Sequence, residues 1–370
     1  MTDVKNPPAK EDSWAFQPIG SPFPPNPVKC LGQQNMYVAL WYKHGKPIHG
    51  RAWNNGGVVE CSFPYNKTEL KTKEQLEGQI QILQYEGDHN TQGYWYEWVL
   101  YKNRFEKEGR GLLKCGDSSP ILWKDRKEGV VLGYLDNKTE VAYFSWEGKV
   151  IQKQGGELND MVIIMRNYIG GPPFCDCAKC PKVKAGPPPP RTMLDEWMDL
   201  RVGDPWPQKQ LVQALNKKLD TIPGENPEQF VALWYMAGEP VMGRVWNENG
   251  CVAACFAWMN KEYRQNVGSI QILINLPDHV RGFDYEWIKF KEASVFTEKV
   301  WHPVHVNNVK GDISPAVLSF NGKQILGKCD VRNEKASAGF EGAENVQLGG
   351  NVAQTVVVLC RKAKPGYKFE

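Results

Sequence analysis

An internal duplication is the feature that most restricts what this chain of 370 residues can fold into. Val38–Tyr42 recurs as Val231–Tyr235, and Gly50-Arg51 recurs at the same offset as Gly243-Arg244. Further pairs follow in the same order: Trp53 with Trp246, Ile80–Leu83 with Ile270–Leu273, Asp88-His89 with Asp278-His279, Tyr96–Trp98 with Tyr285–Trp287, and Gly116-Asp117 with Gly311-Asp312. Because self-similarity of this kind marks a repeated structural unit, we predict two copies of one module.

A weaker repeat divides each copy in two. Each half begins with an alternating strand, passes through a glycine turn into a second strand, and closes on an apolar strand such as Met161–Met165. Gly133 and Gly327 in the second halves correspond to Gly50 and Gly243 in the first halves. We therefore predict four related sub-repeats, which begin near Val38, Ile121, Val231 and Ala316.

The sub-repeats have the pattern of antiparallel strands. Their apolar residues alternate or run in short blocks, and β-branched and aromatic residues dominate these blocks. Glycine and asparagine turns separate the blocks, as in the hairpin turn predicted at His44–Lys46. The predicted fold class is all-β. Gly50 and Gly243 are expected to be required by the backbone, either for positive φ or for a close approach between strands.

The predicted domain organisation follows from the repeats and from the proline-rich segments between them. Leu211, Leu215 and Leu219 have helical spacing and predict a short helix ahead of the second copy. The segments are a Pro-rich N-terminal tail (1–29), a first β module (30–169), a Pro/Cys-rich linker with the short helix (170–225), a second β module (226–363) and a C-terminal tail (364–370).

Composition argues against several classes of protein. The net charge is only +3 and the basic residues are spread along the chain, so no nucleic-acid partner is expected. No segment is apolar and long enough to span a membrane, and the N-terminus lacks the apolar core of a signal peptide. We therefore predict a cytoplasmic protein whose ten cysteines are reduced thiols. The oligomeric state does not follow from the sequence.

Three closely spaced cysteines, Cys175, Cys177 and Cys180, form the one local cluster with the character of metal ligands. A structural zinc site has four ligands, so Cys30, Cys115 or a histidine would have to complete it. The alternative is that these residues are free thiols in a loop. No other cofactor is predicted.

Arginine and tryptophan recur together and suggest a ligand site in each module. Arg51 and Trp53, like Arg244 and Trp246, are two residues apart on a strand and so share one face. Arginine over an aromatic ring can present its planar donors to a sugar or a carboxylate. Trp95 is expected on the face opposite its two tyrosine neighbours and is a further candidate. The alternative is that each arginine is an internal strut bonded to backbone carbonyls.

The duplicated Asp-His pairs are the remaining candidates for chemistry. Adjacent residues on a strand point to opposite faces, so Asp88-His89 and Asp278-His279 are poorly arranged to act as a base and its orienting carboxylate. We expect the aspartates to accept backbone N–H hydrogen bonds in their loops. Phosphate-binding loops, nucleophile elbows and His-Glu-x-x-His motifs are absent from the sequence. An enzyme is therefore the least favoured class.

The hairpin motif also resembles a known family. Gly45–Ala52 and Gly238–Val245 are similar to the Gly-x-Pro-Leu-Tyr-x-Gly-Arg-Ala core of the DM-nine repeat of invertebrate lectin-like proteins. Tyr96–Leu100 resembles the closing strand of that repeat. The resemblance implies small antiparallel modules in tandem and, in some members, mannose binding or pathogen recognition. The sugar-contacting residues of the lectin members have no matching positions here.

These observations favour a non-enzymatic intracellular protein, bivalent through its two modules, with a carbohydrate or a protein as ligand. A structural or scaffold protein that contacts partners through its β modules and Pro-rich segments is the alternative. An enzyme that uses the Asp-His pairs is the second alternative.

Overall fold

The computed structural model describes residues 5–175, 177–180, 191–297, 299–308 and 311–369. Two compact units divide the chain near residue 186, with the turn Asn55–Gly57 grouped with the second unit. Each unit is built from one long antiparallel sheet.

The first unit contains thirteen strands among its described residues: β1 (Ser13–Pro18), β2 (Tyr37–Lys43), β3 (Lys46–Asn55), β4 (Val58–Tyr65), β5 (Thr68–Leu70), β6 (Gln79–Gln84), β7 (Trp95–Leu100), β8 (Arg110–Leu112), β9 (Ser118–Trp123), β10 (Val131–Asp136), β11 (Val141–Trp146), β12 (Lys149–Gln154) and β13 (Val162–Asn167). A short helix, α1 (His89–Gln92), precedes β7, and 3₁₀ turns lie at Tyr101–Asn103 and Gly155–Leu158.

The second unit contains fourteen strands among its described residues: β14 (Glu196–Arg201), β15 (Phe230–Met236), β16 (Glu239–Glu248), β17 (Cys251–Trp258), β18 (Lys261–Tyr263), β19 (Ser269–Ile274), β20 (Phe283–Lys289), β21 (His302–Pro303), β22 (Val306–Asn308), β23 (Gly311–Phe320), β24 (Lys323–Asp330), β25 (Lys335–Phe340), β26 (Ala343–Leu348) and β27 (Val357–Ala363). Its helices are α2 (Phe290–Ala293) and α3 (Gly350–Thr355), and a 3₁₀ turn lies at Ala214–Asn216.

The order of the strands shows the repeat inside each unit. The first sheet runs β1-β6-β2-β3-β4-β5-β12-β11-β10-β9-β13-β7, and the second runs β14-β19-β15-β16-β17-β18-β26-β25-β24-β23-β27-β20. The strand order of each sheet is symmetric about its middle. The two sub-repeats meet there through their last hairpins, with β5 paired to β12 and β18 paired to β26. The predicted all-β fold of two tandem modules, each with two sub-repeats, is confirmed.

Burial on both faces of the sheet explains the apolar blocks in the sequence. On β2, Val38 packs into a cluster that includes residues of both sub-repeats, whereas Ala39 packs into a cluster within the first sub-repeat. On β13, Ile164 packs into the cluster shared by both sub-repeats, whereas Ile163 packs into a cluster within the second sub-repeat. Because adjacent strand residues point to opposite faces, a strand covered on both sides is apolar throughout.

One glycine in each sub-repeat permits a close approach between neighbouring strands. A Cβ atom at Gly50, Gly133, Gly243 or Gly327 would lie 2.4, 2.0, 2.4 or 2.3 Å from a carbonyl oxygen of the next strand. None of the four has a positive φ. Of the two reasons expected for Gly50 and Gly243, the structure therefore supports close approach.

Three segments differ from the expectations for tail and linker. The segment from Leu211 to Leu219 contains only the 3₁₀ turn at Ala214–Asn216, with Leu215 at φ 49°, so the predicted short helix is wrong. Leu211 and Leu219 are buried because extended chain carries them into the core of the second unit. Strand β1 lies in the predicted tail and β14 in the predicted linker, and they form the first strands of their sheets, paired with β6 and β19. Pro187–Pro190 lies outside the described residues.

Candidate metal centre and buried polar networks

The three clustered cysteines meet a histidine that is distant in sequence. The Sγ atoms of Cys175, Cys177 and Cys180 lie 3.9, 3.5 and 3.4 Å from Nε2 of His89. All four donor atoms lie within 4.8 Å of one another. A histidine, one of the possible fourth ligands considered above, thus completes the set, while Cys30 and Cys115 are not part of it.

Local structure holds both parts of this cluster. Asp88 caps α1 by accepting hydrogen bonds from the backbone N–H groups of Asn90 and Thr91, both at 2.9 Å, and His89 follows directly. The imidazole is 2% exposed, and a Cβ atom at Gly171 would lie 2.6 Å from its Cε1 atom. The segment that follows β13 therefore passes directly over the imidazole ring of His89.

The thiols sit in two tight turns. The backbone N–H of Cys175 donates to the carbonyl of Pro172, and that of Cys180 donates to the carbonyl of Cys177. A hydrogen bond with the Asn90 side chain lowers the pKa of the Cys177 thiol to about 6. Burial and hydrogen bonds with the other two thiols raise the pKa of Cys180 to about 12, so Cys177 loses its proton before Cys180.

The first Asp-His pair lacks the geometry of a catalytic base. The carboxylate of Asp88 is used in the helix cap, as expected for a loop aspartate, and the imidazole of His89 faces the cysteines. In the second unit, Asp278 is exposed and forms an ion pair with Lys364. The first pair therefore lacks the hydrogen bond between carboxylate and imidazole that orients a general base, and the carboxylate of the second pair is bound to Lys364.

Arg51 is an internal residue of the first unit. Its guanidinium is 3.3 Å from Oε1 of Glu69 and lies between the rings of Trp53 and Trp146, at 5.9 and 5.2 Å from their centroids. Burial lowers the pKa of Arg51, and the neighbouring Glu69 carboxylate opposes this shift. The guanidinium is therefore occupied by partners within its own module.

Arg244 is enclosed even more completely in the second unit. The side chain is 1% exposed, and Nη2 lies 2.7 Å from both Glu225 Oε2 and the carbonyl oxygen of Gly339. Nη1 donates to the carbonyl of Leu326 at 3.4 Å. Bonds to backbone carbonyls are what the internal-strut alternative predicts. A ligand has no access to this guanidinium, which corrects the expectation of a binding site at Arg244.

The three tryptophans proposed as ligand contacts are also partly used inside the fold. Trp53 donates to Glu60 at 2.8 Å, and Trp95 is 3.4 Å from the carbonyl oxygen of Ile169. Trp246 is buried under the guanidinium of Arg264, 5.4 Å from the ring centroid. Trp53 and Trp95 are half-buried, so a ligand contact there stays a prediction.

Buried glutamates organise both modules, and the sequence reasoning did not identify them. Glu69 accepts hydrogen bonds from Ser62 Oγ at 2.6 Å and from the N–H of Gly148 at 2.8 Å. Glu262, its copy, accepts from Cys255 Sγ at 3.2 Å and from the N–H of Gly342 at 2.7 Å. Glu344 in the last sub-repeat accepts from Ser337 Oγ, from the N–H of Asn260 and from Lys328.

Each of these carboxylates therefore ties one sub-repeat to the turn of the other. The signal was present in the sequence, because Glu69-x-Lys71 recurs as Glu262-x-Arg264 at the offset of the duplication. Lys71 lies 3.1 Å from Glu69, and Arg264 pairs with Glu262 in the same way.

A histidine is buried between the sub-repeats of the first unit. His49 Nδ1 lies 2.7 Å from Ser118 Oγ, and the ring of Trp14 packs against the imidazole at 5.5 Å. Burial lowers the pKa of His49 to about 3, so the imidazole is neutral in the folded protein. The second unit has Met242 and Ile313 at the corresponding positions.

No helix in the described ranges is long and apolar enough to cross a lipid bilayer.

The chain is similar to a protein of known structure. The crystal structure of the nematode sperm cell motility protein MFP2B is 59% identical in sequence, covers 98% of this chain and 100% of its own, and superposes with a TM-score of 0.93. No curated protein sequence matches the chain significantly.

A family model overturns the resemblance to the DM-nine repeat. The model for the cytosolic motility protein MFP2b matches residues 11–168 and 194–363, which are most of both copies. The DM-nine assignment is therefore wrong, and the expectation of carbohydrate binding loses its basis. The description of the family as cytosolic confirms the predicted cytoplasmic location. With both copies matched, this chain belongs to the MFP2b family of cytosolic motility proteins.

Proposed function

We propose that this chain is a non-enzymatic structural protein of cytosolic motility, which acts through contacts with protein partners. The observation that carries the proposal is the 59% identity, over 98% of the chain, with a nematode sperm cell motility protein. An identity of this size over the full length supports a shared role, and the family description names motility and no reaction.

The disposition of the polar residues supports a non-enzymatic role. The buried carboxylates and cations pair with one another or with backbone groups between sub-repeats, as Glu69 and Arg244 do. Polar groups used in this way fix a unique packing and are not free for proton transfer.

Exposed aromatic residues support contact with proteins. Phe16 on the edge strand β1 is 60% exposed and Tyr42 on β2 is 48% exposed, and both line one groove together with Trp41 and Ile80. Edge strands and exposed apolar groups are common sites of protein contact. The duplication adds a second module of the same fold, and two modules on one chain raise the affinity for a partner with repeated sites.

Crawling of nematode sperm that lack their own MFP2B-type protein tests the proposal. Supplying this chain should restore crawling speed in proportion to the amount of protein, because a structural component acts stoichiometrically. Full recovery at trace amounts would indicate an enzyme, and no recovery at any amount would contradict a motility role.

A pair of variants tests the contact surface within the same assay. Phe16→Ser combined with Tyr42→Ser should lower the restored speed by weakening partner binding. Phe105→Ser is the matched control, since Phe105 is 74% exposed and does not line this groove. Equal speeds for the two variants would place the partner surface elsewhere.

A further inference from the structure

Four soft donor atoms converge at one point of the first unit. In a tetrahedral zinc site with Zn–S bonds of about 2.3 Å and a Zn–N bond of about 2.0 Å, nitrogen and sulfur ligands are about 3.5 Å apart. The distances from His89 Nε2 to the Sγ atoms of Cys175, Cys177 and Cys180 are 3.9, 3.5 and 3.4 Å. The nitrogen–sulfur distances are therefore already close to those that one ion requires, and all four donor atoms lie within 4.8 Å of one another.

The donor set indicates which metal fits. Three thiolates and one imidazole are the ligands of structural zinc sites, whereas Mg²⁺ and Ca²⁺ prefer oxygen ligands. All three cysteines are free thiols in the structure. Four protein ligands leave no open position for a substrate, so the donor count indicates a structural site.

The surroundings show that the cluster is built by more than one turn of the chain. His89 is 2% exposed and held by the cap at Asp88. Gly171 packs against the imidazole, and a side chain there would strike the ring. Gly170, with φ 63°, accepts a hydrogen bond from the side chain of Asn6 at 2.7 Å. Contacts outside the cysteine segment thus place its start over the histidine.

We propose that His89, Cys175, Cys177 and Cys180 bind one zinc ion, which fastens the start of the linker to the first module. The ion joins positions more than eighty residues apart and removes the freedom of the segment from Gly171 to Cys180 relative to α1. Among the described residues, this is the one group of histidine, cysteine and acidic side chains with the spacing of metal ligands. The inference does not depend on the proposed motility role.

Metal analysis of the full chain tests the proposal. The protein is purified with its thiols reduced and without chelators, and its zinc content is measured by mass spectrometry. We expect about one zinc per chain.

Cys177→Ser and Cys180→Ser should each weaken zinc binding by about 100-fold or more in competition with a chromogenic chelator, the scale for the loss of one of four ligands. These two thiols are half-buried, so their replacement leaves the hydrophobic core unchanged.

Cys251→Ser is the matched control, because Cys251 is an exposed thiol of the second unit. This variant should keep the parent's zinc content and affinity. Replacement of zinc by Co²⁺ should also give the visible absorption of a tetrahedral thiolate complex in the parent and in the control. Absence of bound metal and of the cobalt spectrum in the reduced parent would overturn the proposal. A disulfide within the cluster in freshly purified protein, or equal zinc loss in the control, would do the same.

Discussion

The two modules share one backbone plan but satisfy their buried polar groups differently. In the first, Arg51 pairs directly with Glu69, while the copied arginine, Arg244, uses Glu225 and leaves Glu262 to Arg264. The turn with Gly224 at positive φ precedes Glu225, and the corresponding turn with Gly32 in the first module is followed by Gln33. The arginine is thus kept in both copies, whereas its carboxylate partner comes from a different part of each.

The second sub-repeats differ more strongly. Where the second module has the ion pair of Lys328 with Glu344 at 3.1 Å, the first stacks Tyr134 on Tyr143 with ring centroids 4.9 Å apart. Both solutions fill the space beside the close-approach glycine. The close approach of the strands thus requires a position without a side chain. The polar and aromatic residues beside it can differ between the modules, provided that every buried charge has a partner.

The largest expected effect concerns the carboxylate that only the second module uses. Glu225→Gln leaves the buried guanidinium of Arg244 without its charged partner, which should lower the free energy of unfolding of that module by about 3–5 kcal/mol. Hydrogen exchange of peptides from each module, followed with increasing urea, measures the change separately in the two copies.

The control for this variant is Asp220→Asn, in the same segment of the chain. Asp220 is exposed and pairs with exposed Lys323 at 2.6 Å, so its replacement should cost less than about 1 kcal/mol. Equal losses for the two variants would show that Glu225 is no more important than a surface carboxylate.

The buried histidine predicts a difference in acid stability between the modules. The pKa of His49 is about 3 in the folded chain, below that of an exposed histidine, so the unfolded state binds the proton first. The contribution to stability is full above about pH 6.5 and is lost as pH falls toward 3, by about 1.4 kcal/mol per pH unit. Between pH 6 and pH 4 the first module should lose about 2–3 kcal/mol from this group.

The second module supplies the matched variant. His49→Met combined with Ser118→Ile installs the residues found at Met242 and Ile313 and should remove this part of the acid sensitivity. Urea unfolding at pH 6 and pH 4, read by hydrogen exchange in the first module, makes the comparison. The same pH dependence in parent and double variant would mean that carboxylates, not His49, set the acid response.

The glycines should behave alike in both copies. Gly50→Ala and Gly243→Ala each place a Cβ atom 2.4 Å from a carbonyl oxygen, so each should destabilise its module by about 1–3 kcal/mol through overpacking. Gly156→Ala is the control, because its Cβ would meet no atom within 4 Å beyond its chain neighbours and the local backbone of its own turn. Unequal costs at the two copied positions, measured as urea midpoints, would break the structural equivalence of the sub-repeats.

The smallest effect is expected at the basic residues beside the copied glutamates. Lys71 is half exposed and Glu69 has other donors, so Lys71→Met should cost about 0.5 kcal/mol or less. Arg264→Met should cost about 1 kcal/mol, since Arg264 pairs with both Glu225 and Glu262. Melting temperatures at low and high salt measure both effects, and a larger loss for Lys71→Met would reverse the comparison.

The mistaken family resemblance has a physical explanation. The shared residues Gly45–Ala52 are a hairpin turn followed by a close-approach glycine, with His44 and Gly45 at positive φ in the turn. Tight antiparallel hairpins select such residues in any family, because few residues adopt positive φ and only glycine lets strands approach so closely. The short motif therefore predicted the local structure correctly and the ancestry incorrectly.

Patterns in the sequence were enough to predict the strands inside the repeats, the duplication and the four sub-repeats, but not the added strands β1 and β14. These depend on side-chain alternation, turn residues and glycine, which act over a few residues of the chain. The 3₁₀ turn at Ala214–Asn216 was misjudged because leucines at helical spacing can also be buried by an irregular segment that lies on a sheet.

Which polar groups meet depends on the tertiary structure. Cys177 and His89 are 88 residues apart, and Glu69 and Gly148 are 79 apart, so no local pattern pairs them. Burial decided the state of Arg244 in the same way, since a strand residue beside tryptophan faces either solvent or another strand depending on what covers the sheet. Such pairings depend on the free energy of removing charge from water, which is set by the whole surrounding fold and not by neighbours in the chain.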